Sequence, residues 1–183
     1  MRYPRTILFV DLSGFTAFIQ RTDDDQAKAM LKDFRAVSRD LASETGVRID
    51  KFLGDGFMAI ATDQNSGVIF AMELQRRFAE RLGDLRLRIG MASGDIILFE
   101  GEDYIGDAPN LASRLCDEAA RYGVLMPTEQ ARHLPEGITA EPIGEFMLRG
   151  FDNPIHVSRL VGIAPSGYRN DTEEHWTRTP FAV

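Results

Sequence analysis

The sequence predicts an α+β fold, a mostly antiparallel sheet with helices on one face around a ferredoxin-like βαββαβ core. Three observations carry this. Short β-rich apolar runs such as TILFVD and LRLRIGMAS interleave with longer stretches whose apolar residues recur at helical spacing. The stretch IDKFLGDGFMAI reads as two strands joined by a tight Gly-containing turn, a hairpin inside the alternation. A chain of 183 residues with 44% hydrophobic content suits one domain with a substantial core.

TILFVD forms the first strand and leads directly into LSGFTAF, so Asp11 lies where a strand gives way to a helix. In the next stretch Ala27, Met30, Leu31, Phe34, Val37 and Leu41 recur on one helical face. Thr22 with Asp25 is expected as its capping box and Gly46 as its stop. Asp23, Asp24 and Asp25 complement the positive end of that helix. The hairpin from Ile49 to Ile60 follows, and then an amphipathic helix through SGVIFAMELQRRFAERL. Leu85, Leu87, Ile89 and Met91 alternate with Arg86 and Arg88, the pattern of a strand with one apolar face. DIILFEG is expected as a further strand and NLASRLCDEAARYG as a further helix. Strands around Val124–Met126, Phe146–Leu148 and Ile155–Leu160 complete the order. The last stretch is polar and without periodicity, so residues 1–163 are expected as the domain and 164–183 as a tail. Trp176 and Phe181 are its candidate anchors.

Composition narrows the partners. A net charge of −7 argues against a nucleic-acid surface, which needs a basic face. One cysteine, Cys116, excludes an intramolecular disulfide framework and points to a reducing compartment. No apolar run approaches the ~18–20 residues that span a bilayer. The N-terminal MRYPRTILFVD meets a charge too early for a signal peptide. The expectation is a cytoplasmic protein with no nucleic-acid or membrane partner.

Several polar residues sit where chemistry is plausible. A strand-to-helix junction aims free N–H groups at an anion such as phosphate, and Ser13 and Gly14 permit close approach. A carboxylate there needs a bridging cation, so Asp11 points to Mg²⁺, although taken alone it reads as a helix cap. Asp55, in the hairpin turn, supplies a second carboxylate if the hairpin pairs beside the first strand. Lys51 and Asp55 by themselves read as a solvated ion pair across a hairpin end. Asn110 and Arg114 are four apart and share a helix face. Arg88, Arg114 and Arg149 are candidate phosphate ligands by their planar donor forks, and solvated charges when taken singly.

Together the motifs FVDLSGFTAF, KFLGDGFMAI, LRIGMASGD, DYIGDAPNLASRL and LRGFDNPIHV resemble, in order and spacing, the class III nucleotidyl cyclase catalytic domain, from about Thr6 to Val161. The chain is similar to short standalone bacterial adenylate cyclases. That resemblance implies a sheet of the class III cyclase type and a head-to-tail homodimer with sites shared between subunits. It implies that Asp11, Asp55 and the Leu12 carbonyl hold a pair of Mg²⁺ or Mn²⁺ ions, and that the amides of Gly14, Phe15 and Thr16 cradle the triphosphate. Lys51 and Asp103 correspond to the base-selecting pair, Asn110 to the ribose-orienting residue and Arg114 to the transition-state arginine. Arg88 and Arg149 fall at basic phosphate ligands. In this design Lys51 and Asp55 serve different sites.

Lysine only donates and an ionised aspartate only accepts, which suits the N1 acceptor and C6 amine of adenine and mismatches guanine. The expected activity is therefore ATP to 3′,5′-cyclic AMP and pyrophosphate. A cyclase for another triphosphate, or an inactive nucleotide-binding or dimerisation module, are the alternatives. Two departures from the family pattern are GMASG and Pro109, which stands before Asn110 where Val is usual. A small shift of Asn110 is expected from the proline. No regulatory partner is legible.

Overall fold

In the computed structural model, residues 1–79, 81, 85–99, 103–121 and 123–163 are described. The expected tail, with Trp176 and Phe181, lies outside them. The elements run β1 (Tyr3–Ser13), α1 (Phe15–Ile19), α2 (Asp24–Thr45), β2 (Arg48–Leu53), β3 (Gly56–Ala61), α3 (Gln64–Phe78), β4 (Arg86–Phe99), β5 (Asp103–Ile105), α4 (Asp107–Glu118), β6 (Val124–Pro127), β7 (Ile138–Phe146) and β8 (Ile155–Gly162).

The strands form one sheet in the order β2-β3-β1-β4-β6-β8-β7, with β5 paired to β4. The β4–β6 pairing is parallel and the others are antiparallel. Within it β1-α2-β2-β3-α3-β4 has the spatial order β2-β3-β1-β4, which is the expected ferredoxin-like core.

The α+β class is as expected, but the helices cover both faces of the sheet rather than one. Phe34 and Leu41 of α2 and Val68, Phe70 and Leu74 of α3 bury against Leu8, Val10, Leu87 and Met91. On the opposite face Leu111, Ala112 and Leu115 of α4 bury against Ile7, Met58, Ile60 and Ala92. Both sets of alternating strand residues are apolar, so both faces require cover. Gly90 makes the second contact flush: an added Cβ would lie 2.1 Å from the Cys116 nitrogen and 2.2 Å from the Ala112 oxygen. The α4 backbone thus rests directly on β4.

Local differences have local causes. The cap of α2 is Asp23, whose Oδ1 accepts from the Gln26 amide at 2.8 Å, rather than a Thr22–Asp25 box. Thr22 instead donates to the Phe18 carbonyl. Gly46 stops the helix in the left-handed region at φ 68°, as expected. LRLRIGMAS and DIILF are one strand, β4, because β1 pairs with it continuously from Tyr3↔Ile96 to Ser13↔Arg86. The strand expected around Phe146–Leu148 lies earlier, as β7. Helix α4 begins at Asp107 and carries Pro109 in its first turn, where a missing N–H costs no intrahelical bond.

Candidate active site

The carboxylates of β1 and of the β2–β3 turn meet at one rim of the sheet. Register places Asp11 opposite Gly56 on one side and opposite Arg88 on the other, so Asp55 is the neighbour of Asp11's own partner. Gly56 is required here for space: a Cβ would stand 2.5 Å from the Val10 oxygen and 3.0 Å from Asp11 Oδ1. Gly54 meets the conformational need, with φ 65°. From α2, Arg35 Nη2 donates to the Gly54 carbonyl at 3.0 Å, and its guanidinium and that of Arg39 cover the Phe52 ring at 4.8 and 4.7 Å. The turn that carries Asp55 is therefore held from outside the hairpin.

Arg88 Nε donates to Asp11 Oδ2 at 2.6 Å. Burial alone would lower the guanidinium pKa, but the bond to Asp11 and its charge more than reverse that and raise it. The Asp55 carboxyl is pushed above its ordinary value by burial and then by the negative charge of Asp11. Cys116 lines the same cleft, of about 130 Å³, together with Ser113 and Asp117. Burial, then the charge of Asp11, pushes its thiol up to about 12, so it stays protonated and donates to the Arg88 carbonyl at 3.5 Å.

Asp11 and Asp55 fit a hard divalent cation. Their mutual repulsion is what such an ion relieves, and Mg²⁺ takes one or two carboxylates and completes its shell with phosphate and water. Among the described residues no group of three or more His, Cys, Asp or Glu side chains that could hold a metal ion is gathered. Leu12 follows Asp11 and is 1% exposed, with its side chain in the core. Gly14 caps α1 in the left-handed region at φ 92°, and Phe15 and Thr16 open the helix.

A second cleft, of about 460 Å³, holds Asn110, Arg114 and Arg149 with Asp107 and Asp152. Arg114 Nε donates to the Arg149 carbonyl at 3.3 Å, and its Nη1 lies 3.5 Å from Asp117 Oδ2. Asn110 Nδ2 donates to the Gly106 carbonyl at 3.3 Å. The two clefts take neighbouring strips of α4: Ser113, Cys116 and Asp117 line the first with Asp11, Asp107, Asn110 and Arg114 line the second, and the Arg114–Asp117 contact joins them.

Lys51 and Asp103 are brought together, Nζ to Oδ1 at 3.6 Å, and line neither cleft. Lys51 is also 3.6 Å from Asp50 Oδ2, and Asp50 Oδ1 accepts from the Tyr104 hydroxyl at 2.9 Å. Sequence reasoning missed Asp50, Tyr104 and Arg35. The first two flank singled-out residues in the chain, a signal that adjacency could have raised; the role of Arg35 depends on tertiary contact alone.

The catalytic-domain family of adenylate and guanylate cyclases matches residues 3–160. A protein of Mycobacterium tuberculosis, named only as uncharacterised, is 34% identical over 152 residues, 83% of this chain and 40% of its own length. An adenylate cyclase of Streptomyces coelicolor is 33% identical over 126 residues, 69% of this chain and 33% of its own. This chain thus spans well under half of either relative. Among solved structures, the adenylyl cyclase CyaB of P. aeruginosa superposes with a TM-score of 0.73 at 23% identity, covering 92% of this chain and 98% of that one. The catalytic core of a rhodopsin-guanylyl cyclase with converted specificity, in complex with ATPαS, does so at 0.77 and 20%, covering 88% and 98%. Among the described residues no helix is long and apolar enough to cross a membrane.

Proposed function

Because the chain belongs to the family of adenylate and guanylate cyclase catalytic domains, we propose that it converts ATP to 3′,5′-cyclic AMP and pyrophosphate. The observation that carries the choice of ATP is the Lys51–Asp103 pair, within 3.6 Å. One donor-only and one acceptor-only group side by side match the N1 and C6 amine of adenine and leave both groups unpaired against guanine. The named adenylate cyclase of Streptomyces coelicolor is consistent with this reading.

Each residue has a task in in-line attack of the ribose 3′-hydroxyl on the α-phosphorus. Asn110 orients the ribose so that the hydroxyl faces the phosphorus. The fork of Arg114 meets the charge that develops on the phosphoryl oxygens, while Arg88, Arg149 and the amides of Gly14, Phe15 and Thr16 hold the triphosphate. Asp11 and Asp55, with the Leu12 carbonyl, hold Mg²⁺ or Mn²⁺, a pair of ions per site. When bound, these supply Lewis acidity to the hydroxyl and neutralise the leaving pyrophosphate. Asp11 lines one cleft and Asn110 with Arg114 another, and this division supports a site completed by a second copy, in a head-to-tail homodimer.

The test incubates the purified chain with ATP, GTP, CTP and UTP separately, in Mg²⁺ and in Mn²⁺, and identifies products by mass. Cyclic AMP is expected from ATP, and Asp55→Ala should lower its rate by ~10³-fold or more through loss of a metal anchor. Cyclic GMP as the main product would overturn the substrate assignment. No cyclic product from any triphosphate would favour a nucleotide-binding module over an enzyme.

A further inference from the structure

The register between β2 and β3 skips at one residue: Ile49 pairs with Ala59 and Lys51 with Met58, which leaves Asp50 as the extra residue of a β-bulge. A bulge breaks the strict alternation of faces, so chain neighbours can meet. Here the Asp50 carboxylate and the Lys51 ammonium do so at 3.6 Å.

Asp50 is an unusual occupant of that position, since its side chain is only 7% exposed. A carboxylate so enclosed must be compensated, and its two oxygens divide the work. Oδ1 accepts from the Tyr104 hydroxyl at 2.9 Å, and Oδ2 faces Lys51. Tyr104 belongs to β5, a three-residue strand paired to β4, and its ring packs against the apolar cluster beneath α4. The residue before it is Asp103, the other partner of Lys51 at 3.6 Å.

We infer that the Tyr104–Asp50 hydrogen bond is a clasp that sets the geometry of Lys51 against Asp103 and thereby the discrimination between purines. This rests on the reading of Lys51 and Asp103 as the base-contacting pair. Tyr104 and Asp50 are positioning residues: they act through Lys51 and do not touch the base. With Oδ1 held by the phenol, one carboxylate oxygen is left for the ammonium, and Lys51 is held between Asp50 and Asp103. Without the phenol, Oδ1 is free to turn toward Lys51 as well, and the strand that carries Asp103 loses a side-chain tie to β2. Lys51 is then drawn toward Asp50 and away from the base. Recognition should weaken for the preferred purine and be little changed for the other, which gained nothing from the aligned pair.

Tyr104→Phe keeps the ring and removes the hydroxyl. Asp50→Asn keeps an acceptor for Tyr104 and removes the charge that orients Lys51. The experiment measures the ATP-to-GTP ratio of kcat/KM, and the same ratio of affinities for the α,β-methylene analogues by calorimetry, in wild type and both variants. Each variant should lower the ratio by about tenfold, the scale of one hydrogen bond to a charged group, while the Mn²⁺ dependence of turnover stays as in wild type. A merely structural role would lower kcat/KM for both nucleotides together. A binding ratio unchanged in either variant, with the protein folded by circular dichroism, overturns the clasp. A wild type that prefers GTP overturns the ATP assignment alone, because variants that then relax the GTP preference leave the clasp standing.

Discussion

If each site takes its carboxylates from one subunit and its transition-state arginine from the other, two dead proteins should make a live one. Asp55→Ala removes a metal anchor and Arg114→Ala removes the fork in the second cleft, which holds neither Asp11 nor Asp55. Each homodimer then has both of its sites damaged, once per site. In a heterodimer both lesions fall in the same site, and the other site is wholly wild type. Random exchange of equal amounts makes half of the dimers mixed, each with one good site of two, so the mixture should recover about a quarter of wild-type activity per chain. The assay is cyclic AMP production after the variants are co-incubated for increasing times, with each variant alone as the baseline. Recovery should rise with the time of subunit exchange and plateau near that fraction. A mixture that stays at the baseline, although mixed dimers are demonstrated by mass, would refute the shared-site reasoning and place all the groups on one chain.

Other perturbations give further expectations. Gly56→Ala should destabilise the fold by about 1–3 kcal/mol, the scale of core overpacking, since its Cβ meets the Val10 oxygen at 2.5 Å; urea unfolding checks this. Arg88→Met removes the cation now bonded to Asp11 at 2.6 Å. Mn²⁺ affinity of the nucleotide-free protein, read by electron paramagnetic resonance, should rise by on the order of tenfold, while KM for ATP worsens. Bonds from Arg76 and then Arg77 hold the Glu73 carboxyl below its ordinary value, so burial of the group is outweighed. Its contribution is therefore full above the ordinary carboxylate range and is lost as pH falls through the depressed value. Glu73→Gln should cost up to about 1 kcal/mol at neutral pH, as expected for partly solvated pairs, and nothing in strong acid, in parallel denaturant titrations.

What could be read from the chain is what local pattern encodes. The buried face of α2, the alternation of Leu85, Leu87, Ile89 and Met91, and the Gly46 stop each follow from spacing within a few residues. The meeting of Asp11 with Asp55 was legible only as a condition, that the hairpin pair beside β1, and the register meets it. Long-range features were not legible. Helix α4 crosses to the far face because the sheet is apolar on both sides, which the alternation of β4 alone does not reveal. The cap at Asp23 was missed because Thr22, Asp23 and Asp25 all offer side-chain oxygens and only the backbone path chooses among them. The skipped register at Asp50 leaves no mark in composition, so nothing in the sequence reading singled out Tyr104 or Asp50.

The bare contact at Gly90 seats α4 like a key in a slot. There the helix backbone lies on the strand with no side chain between, and around it Leu111 and Leu115 bury against Ile7, Met58, Ile60 and Ala92. Ser113 and Asp117 line one cleft and Asn110 and Arg114 the other, with Arg114 and Asp117 3.5 Å apart, so a displacement of this one helix disturbs the walls of both. In the proposed head-to-tail pair those clefts would belong to different sites, so a ligand gripping the exposed side of one helix would be felt at both.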